Sequence, residues 1–388
     1  MADRSLARTT NLLAILAACR SAPPTVVPND NQVAGTVWRG DTLVFAIEAR
    51  VAAWTPDPTA DSAVTVHAFA APDHVPRVPG PLLRVTAGAT VEIQVANLLN
   101  DSALVVHGLR PGTGGDDTVR VAAGTSRTVW FTAAVPGTYL YWGSTTGDRM
   151  VRTERREGAL AGAIVVDPAG VAPDAGERIF VISVVDITPD TTKPPPREDV
   201  FELALNGRSW PATERLVHVV GDTVRWRLLN ATATPHPMHL HGFHFTTIAK
   251  GDGRQDSTYA AGEERQAVTE YLPDGGGTAR IRWVPTRAGS WLFHCHIVDH
   301  VVPFPARSDS ARARSGLGAH GRAAHVSVTG ASPATAHRSS CHRAHSCPSD
   351  HATYRWRGLL CVKPTAYERN SSFRKRVVYA GRTYYCKR

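Results

Sequence analysis

Short hydrophobic segments that alternate with polar positions fill residues 42–166, and none of them keeps the 3.6-residue repeat of an amphipathic helix. Gly, Pro, Asn or Asp separates nearly all of these segments, as is usual in antiparallel sandwiches and barrels. The pattern therefore predicts an all-β unit. Its candidate strands are residues 42–49, 63–69, 82–85, 90–95, 118–121, 128–132, 138–141 and 163–166.

A change in composition marks a boundary after this unit. Residues 169–200 begin with a Pro-, Gly- and Asp-rich stretch, contain one apolar segment at 179–185, and end near three consecutive prolines at 194–196. Such a density of proline cannot run through the interior of a sheet. We therefore predict a first domain over residues 38–168, a linker with one strand over 169–200, and a second all-β domain over 201–305.

The second unit repeats the layout of the first. Residues 217–227 parallel residues 83–93, because each stretch reads as a strand, a Gly-x-Thr-Val turn and a second strand. An asparagine follows in both units, at Asn97 and Asn230, and a histidine-containing segment comes about ten residues later. Internal similarity of this kind is the signature of a repeated structural unit. The sequence predicts two tandem Greek-key β-sandwiches.

The N-terminus has the features of an export signal. Arg4 and Arg8 precede an apolar run at residues 12–18, which is too short to span a bilayer and is followed by Cys19. We interpret residues 1–19 as a signal peptide. Residues 16–19 also resemble a bacterial lipobox, which predicts a lipid anchor at Cys19. The expected location is periplasmic, anchored to the cell envelope, or extracellular.

The net charge of +9 is concentrated at the C-terminal end. Residues 306–388 hold 16 of the 43 Lys and Arg residues but three of the 34 Asp and Glu residues, so the rest of the chain is mildly acidic. This distribution gives no support for nucleic-acid binding. Low hydrophobicity and high charge predict a disordered basic tail over residues 306–388. The tail is either foreign to the fold or a small appended module, and it offers no convincing strand to close the second sandwich.

Seven side chains suited to metal binding lie in two short segments. The first segment carries histidine at 236, 239 and 241, and the second reads His-Cys-His at 294–296 with a further histidine at 300. Alternate residues of a strand share a face, so His294 and His296 point to one face and Cys295 points to the other. The histidines at 239 and 241 likewise share a face. The spacing predicts ligands on both faces of one strand pair.

The chemistry of these side chains favours copper. Two imidazoles and one thiolate in a near-trigonal plane form an electron-transfer copper site, and His236, Cys295 and His300 fit that plane. Zinc is the alternative, since Cys and His also bind zinc. A single tetrahedral ion, however, cannot use side chains from both faces of a strand. The remaining alternative is that these are ordinary core or surface residues without a metal.

The two segments resemble the C-terminal copper signature of the multicopper oxidases, a family that includes laccases. Residues 79–85 and 206–211 resemble two further family motifs, and the resemblance covers about residues 75–302. It implies two cupredoxin-like domains with copper as the cofactor. His236, Cys295 and His300 match the ligands of the type 1 copper.

The resemblance also implies a second copper centre. His239 matches a type 2 ligand, and His241, His294 and His296 match type 3 ligands of the trinuclear cluster where oxygen is reduced. Electrons would pass from Cys295 through its covalent neighbours His294 and His296, which makes these three the expected catalytic residues.

The first domain departs from the family pattern. His107 stands at one ligand position, but Val105, Trp142 and Ser144 stand at the other three. Valine cannot bind copper, tryptophan offers an N–H donor alone, and serine is a poor copper ligand. The second centre is therefore expected to be incomplete.

Two functions remain open. The first is a copper-dependent oxidoreductase that oxidises a donor at the type 1 copper and transfers electrons to the second, partly degenerate centre. The alternative is a mononuclear type 1 electron-transfer or copper-binding protein that does not reduce oxygen. The expected partners are a small-molecule or protein electron donor, oxygen for the first function, and further copies of the chain in a homotrimer by analogy with two-domain members of the family.

Overall fold

The structure is a computed structural model of the 388-residue chain. It describes residues 22–60, 63–112, 117–147, 150, 156–186, 201–297, 300 and 323–329, together with the strand segments 353–356, 359–362, 375–379 and 382–387. The proposed signal peptide and lipobox lie outside the described residues. Within the described ranges the regular elements are all β-strands, which confirms the all-β prediction. No helix in those ranges has the length and apolarity needed to cross a membrane.

The first sandwich pairs a seven-stranded sheet with a five-stranded sheet. Its larger sheet has the order β1-β5-β4-β3-β7-β10 with β2 added beside β3, and its smaller sheet has the order β6-β12-β11-β8-β9. The strands are β1 Val27–Pro28, β2 Thr36–Arg39, β3 Thr42–Trp54, β4 Val64–Ala70, β5 Pro76–Val78, β6 Gly80–Thr86, β7 Thr90–Asn97, β8 Leu104–His107, β9 Val119–Val121, β10 Ser126–Thr132, β11 Gly137–Ser144 and β12 Ala161–Asp167.

The second sandwich repeats this arrangement. Its larger sheet has the order β14-β13-β16-β22-β18-β19 with β20 beside β18, and its smaller sheet has the order β15-β24-β23-β17-β21. The strands are β13 Arg178–Asp186, β14 Phe201–Leu205, β15 Arg215–Val219, β16 Val224–Asn230, β17 His236–Leu240, β18 Phe245–Gly251, β19 Asp256–Thr258, β20 Arg265–Ala267, β21 Thr269–Leu272, β22 Thr278–Trp283, β23 Gly289–Cys295 and β24 Ala323–Thr329.

The internal repeat extends to individual hydrogen bonds. Asn97 and Asn230 are both fully buried at the ends of equivalent strands. The side-chain amide of Asn97 donates to the carbonyl oxygens of Ser102 and Val121, and its oxygen accepts from the backbone two residues later. Asn230 makes the same pattern of bonds with its own loops. The recurring asparagine thus fixes the loop that leads into β8 in one sandwich and β17 in the other.

A closing strand of the second sandwich comes from the segment predicted to be a disordered tail. Strand β24 runs parallel to β15 and antiparallel to β23, so the second sandwich extends beyond residue 305, its expected end. Ala324, Val326 and Val328 alternate along β24 and are buried in the core of this sandwich. The alternation spans seven residues within a polar, basic stretch, which is why composition concealed it.

Two other boundaries also differ from the prediction. The single strand assigned to the linker is β13, and it lies inside the second sandwich because it pairs with both β14 and β16. The first sandwich begins before residue 38, since β1 pairs with β5 and β2 pairs with β3. Four further strands form a separate antiparallel sheet within the expected tail. These are β25 Thr353–Trp356, β26 Leu359–Val362, β27 Lys375–Tyr379 and β28 Arg382–Lys387.

A buried charged network joins the two sandwiches. Arg84 on β6 donates two hydrogen bonds to the carboxylate of Asp167 on β12, at 2.7 and 2.9 Å, and one to Glu177 at 3.0 Å. Arg227 on β16 contacts Glu177 at 2.9 Å and donates to the Thr138 hydroxyl on β11 at 2.7 Å. An apolar cluster that includes residues of β11, β12, β13 and β16 lies in the same interface. The orientation of the two sandwiches is therefore held by both polar and apolar contacts.

Gly108 allows the chain to turn directly after His107. Its φ is +78°, and an added Cβ would lie 2.0 Å from the carbonyl oxygen of Leu140. We expect Gly108→Ala to lower the free energy of unfolding by more than the roughly 1–2 kcal/mol that a left-handed backbone costs an alanine. Gly88→Ala is the matched control, since Gly88 has φ +92° and no neighbouring atom within 4 Å of its added Cβ. Equal losses in urea unfolding would contradict this steric interpretation.

Candidate metal centre

Two neighbouring strands carry most of the predicted ligands. In the antiparallel pair of β17 and β23, Met238 lies opposite Cys295, His239 opposite His294, and Leu240 opposite Phe293. Met238, Leu240, Phe293 and Cys295 are buried in the core of the second sandwich. The alternate histidines lie on the other face of the sheet, as a period of two requires. The register therefore separates one thiolate from its two neighbouring imidazoles.

On the core side, the structure brings His236, Cys295 and His300 together. Among the described residues, this is the one group of three or more His, Cys, Asp or Glu side chains whose potential ligand atoms all lie within 4.8 Å of one another. The Cys295 Sγ is 3.7 Å from His236 Nδ1 and 3.5 Å from His300 Nδ1, and the two Nδ1 atoms are 3.1 Å apart. Cys295 and His236 are fully buried.

These three side chains fit a single metal ion. Bonds of about 2.0 Å to imidazole and about 2.3 Å to thiolate, as in zinc sites, separate in-plane ligand atoms by about 3.5–3.7 Å. The observed separations of 3.1–3.7 Å are close to these values. A thiolate with two imidazoles in a trigonal arrangement is the donor set of an electron-transfer copper site. The geometry thus suits the copper ion that the sequence predicts.

A hydrogen bond holds His236 in the orientation that this site needs. Its Nε2 lies 2.7 Å from Thr232 Oγ1, and that hydroxyl donates to Asn230 Oδ1 at 2.8 Å. If Nδ1 binds the metal, Nε2 carries the proton and donates to Thr232. Sequence reasoning did not identify Thr232 as part of the site. The sole signal was its position, four residues before His236 in the loop that begins at the repeated asparagine.

The opposite face of the same strands presents four histidines. His241 Nε2 and His294 Nε2 are 2.8 Å apart. The His239 ring centroid lies 4.9 Å from the centroids of both His241 and His296. His241 and His296 are exposed, and the other two are half-buried. We call His239, His241, His294 and His296 the histidine quartet.

The surroundings of His239 and His294 favour neutral imidazoles. Burial is the main cause that lowers the pKa of His239, and the nearby His241, His296 and His294 add to it. Burial also lowers the pKa of His294. A neutral imidazole is the form that binds a metal, so these two side chains need not lose a proton at neutral pH before they bind. Thr269 Oγ1 lies 2.9 Å from His239 Nδ1 and fixes that ring.

The first sandwich retains the backbone positions of a second ligand set but not its side chains. Strands β8 and β11 pair with His107 opposite Trp142 and with Val105 opposite Ser144. The ring of Trp142 stacks on that of His107, with the centroids 4.2 Å apart and the planes inclined by 21°. His107 Nδ1 lies 3.3 Å from Thr118 Oγ1. Neither His107 nor the quartet forms a cluster of three or more potential ligands as tight as that of His236, Cys295 and His300 among the described residues.

Two of the substituted positions belong to the buried structure of the first sandwich. Val105 is 3% exposed and Ser144 is fully buried. The Ser144 hydroxyl donates to Glu157 Oε2 at 3.0 Å, and the backbone N–H of Thr145 donates to Glu157 Oε1 at 2.6 Å. Glu157 is itself buried, and sequence reasoning did not identify it. The residues present do not fit a complete trinuclear copper cluster.

Comparison with known proteins supports the assignment that the geometry suggests. Two sequence models of the multicopper oxidase family match the chain, one over residues 75–170 and the other over residues 183–303, which together make up more than half of it. The first match lies in the first sandwich. The second match includes His236, Cys295 and His300 as well as the histidine quartet.

Individual relatives match parts of the chain. A probable nitrite reductase-hydroxylamine oxidoreductase fusion protein of Kuenenia stuttgartiensis is 28% identical over 246 residues, which cover 59% of this chain and 27% of that protein. Laccase-7 of Arabidopsis thaliana is 40% identical over 76 residues, which cover 19% of this chain and 13% of that protein. The chain thus spans about a quarter or less of the length of these relatives.

Solved structures show the same fold. The blue copper oxidase from Nitrosomonas europaea superimposes with a TM-score of 0.58 at 19% identity, over 74% of this chain and 85% of that one. At this identity the likeness shows the fold alone, and it confirms the predicted pair of cupredoxin-like sandwiches. Together with the two sequence matches, it shows that this chain belongs to the multicopper oxidase family, whose members are oxidoreductases that use copper as their cofactor.

Proposed function

We propose that this chain is a copper-dependent oxidoreductase in which a donor is oxidised at a type 1 copper held by His236, Cys295 and His300. From there, electrons pass to a second copper centre at the histidine quartet. When bound, copper supplies a one-electron couple. The protein holds the ligands in place and excludes water, since Cys295 and His236 are fully buried.

One observation carries this proposal. Cys295 lies in the core group, while its covalent neighbours His294 and His296 lie in the quartet on the opposite face of β23. Each electron therefore has a route of a few covalent bonds between the two centres. No rearrangement of the chain is needed, because the alternation of the strand alone creates the route.

A mononuclear electron carrier is the second candidate function. It is favoured by the substitutions at Val105, Trp142 and Ser144, which leave His107 as the one imidazole among the four first-domain positions. A chain that binds the type 1 copper but cannot complete a second centre would exchange electrons without reducing an acceptor. The oxidoreductase is preferred because all four histidines of the quartet are present and close together.

The partners are also proposals. The donor is a small molecule or a protein, and the acceptor is oxygen or, as the name of the Kuenenia relative suggests, nitrite. In a homotrimer, the first sandwich of a second copy would cover the exposed imidazoles of His241 and His296. We also propose export by the signal at residues 1–19 and a lipid anchor at Cys19.

Copper content and acceptor consumption test the proposed function. We expect the purified, copper-loaded full chain to bind at least two copper ions per chain and to show an intense blue absorption band. It should also consume oxygen or nitrite when a reductant is present. Metal analysis, absorption spectroscopy and an electrode for each acceptor provide the three measurements.

The outcomes separate the two candidates. One copper per chain with a blue band and no consumption of either acceptor would establish the carrier and exclude the oxidoreductase. A protein that binds copper without a blue band would exclude both, because neither function works without the thiolate-bound ion.

A further inference from the structure

A cavity of about 490 Å³ opens where the two sandwiches meet. One wall belongs to the first sandwich and includes His107, Asp117 and Trp142, and the facing wall consists of the loops at residues 252–254 and 274–276 of the second. The backbone N–H of Leu140 donates to the carbonyl oxygen of Gly253 at 2.9 Å and holds the two walls together. A volume of this size suits a small organic molecule rather than a bare ion.

The lining of the cavity is acidic. Among the described residues that line it are Asp117, Asp252 and Asp274, with Arg254 as the one lysine or arginine. Asp117 is 6% exposed, and in the part of the chain that the structure describes its carboxylate takes part in no hydrogen bond or ion pair. A carboxylate on a largely buried side chain that lines an open cavity favours a cationic ligand, since a cation offsets the cost of removing the charge from water.

The cavity also has a flat aromatic wall. Trp142 and His107 stack with their ring centroids 4.2 Å apart, and both line the cavity. Trp142 stands at a position where a metal ligand was expected, but an indole ring is instead suited to contact another aromatic ring or a cation. At this ligand position the chain thus presents an aromatic surface to the cavity.

Two hydrogen bonds join the cavity wall to the candidate copper ligand. The backbone N–H of Gly275, which lines the cavity, donates to the carbonyl oxygen of Thr232 at 2.9 Å. The hydroxyl of the same threonine lies 2.7 Å from His236 Nε2. Asn230 strengthens the connection, because its side-chain amide donates to the carbonyl oxygen of Pro273, the residue before Asp274 of this wall. Thr232 therefore connects the wall of the cavity directly to His236.

From these observations we infer that the cavity between the two sandwiches binds the electron donor, and that the donor is a small aromatic molecule with a positively charged amino group. The ammonium group contacts Asp117, and the ring packs against Trp142. The role of the ligand as an electron donor rests on the proposed function. The binding of a cationic aromatic molecule in the cavity is independent of it.

The electron-transfer step balances for a phenolic amine. The phenol loses one electron and the proton of its hydroxyl group, and the amino group keeps its charge. When bound by His236, Cys295 and His300, Cu(II) would be the one-electron oxidant, and Thr232 and His236 would form the route from the cavity to it. A carboxylate at the mouth of the cavity, Asp252 or Asp274, accepts the proton and releases it to water.

Calorimetric titration of the copper-loaded full chain tests the binding. The probes are 2-phenylethylamine, which is cationic and not readily oxidised, and 3-phenylpropanoate, which has a similar shape and the opposite charge. We expect the amine to bind at least about tenfold more tightly than the carboxylate.

Asp117→Asn should weaken amine binding by about tenfold or more, and Asp274→Asn should weaken it less, because Asp274 is exposed. Asp41→Asn, in the exposed turn between β2 and β3, is the matched control and should bind like the unmodified chain.

Equal affinity for the two probes would overturn the inference. So would undiminished amine binding in Asp117→Asn. If that variant does not fold, undiminished amine binding in Asp274→Asn would overturn the inference instead. The role as a donor is measured separately, as the rate at which tyramine and 3-(4-hydroxyphenyl)propanoate bleach the blue band. Amine binding in a protein without a blue band would contradict the proposed function and leave the cavity as a binding site. A blue band without selective amine binding would contradict the inference alone.

Discussion

Replacement of Cys295 by serine is expected to abolish the blue absorption of the copper-loaded protein and to reduce electron transfer by at least about a hundredfold. Changes to residues that only orient metal ligands already cost about 10- to 100-fold in metal affinity or activity, and Cys295 is a proposed ligand itself. A serine hydroxyl is nearly the same size as the thiol but is a poor ligand for copper. The absorption spectrum and the rate of reduction by ferrocyanide provide the measurements.

Met238→Leu is the control for this variant. Met238 lies opposite Cys295 in the sheet and is fully buried in the same core, but it is not one of the proposed ligands. Exchange of methionine for leucine nearly conserves volume and usually costs less than about 1.5 kcal/mol. The control should therefore retain the blue band. A blue band that survives in Cys295→Ser would contradict the assignment of the thiolate.

Arg227→Met is expected to lower the free energy of unfolding by about 3–5 kcal/mol. The side chains of Arg227 and Glu177 are each 4% exposed, and Asp167 lies 3.8 Å from the same guanidinium. Loss of the arginine leaves two buried carboxylates with Arg84 as their remaining partner. The cost arises mainly from uncompensated buried charge rather than from lost packing, because methionine fills much of the same space. Denaturant unfolding followed by tryptophan fluorescence measures it.

Arg225→Met provides a matched control on the same strand. Arg225 pairs with Asp174 at 2.9 Å, but both side chains are about 40% exposed. Surface ion pairs of this kind contribute about 0–1 kcal/mol, because water screens the charges. A loss of similar size in the two variants would show that the buried network does not hold the two sandwiches together.

Much of the candidate site follows from the sequence because it depends on local geometry. The alternation of a strand is enough to separate Cys295 from His294 and His296, and the structure places them on opposite faces. The grouping of His236 and His300 with the thiolate rested on ligand chemistry and on the family resemblance, since the distance between β17 and the end of β23 cannot be obtained from spacing. The structure then brought the three side chains within bonding range of one ion.

The features that the sequence did not predict depend on contacts between distant segments. Thr232 is unremarkable in the chain, and its role emerges when its hydroxyl meets the ring of His236. The cavity requires two loops of the second sandwich to pack against β8 and β11 of the first. Strand β24 was missed because its alternation is brief and its neighbours are polar, and it becomes evident as a strand between β15 and β23.

The register of β8 and β11 bears on how this protein could be re-engineered. Positions 105 and 144 face each other, as do 107 and 142, so the scaffold for four imidazoles persists without them. A design that restores histidine at three positions would leave the backbone untouched. It would also have to relocate Glu157, whose carboxylate now accepts a hydrogen bond from the Ser144 hydroxyl, and it would remove the indole of Trp142 from the cavity wall. Oxygen reduction and amine binding would then both require position 142 of the first sandwich, one with histidine and the other with tryptophan.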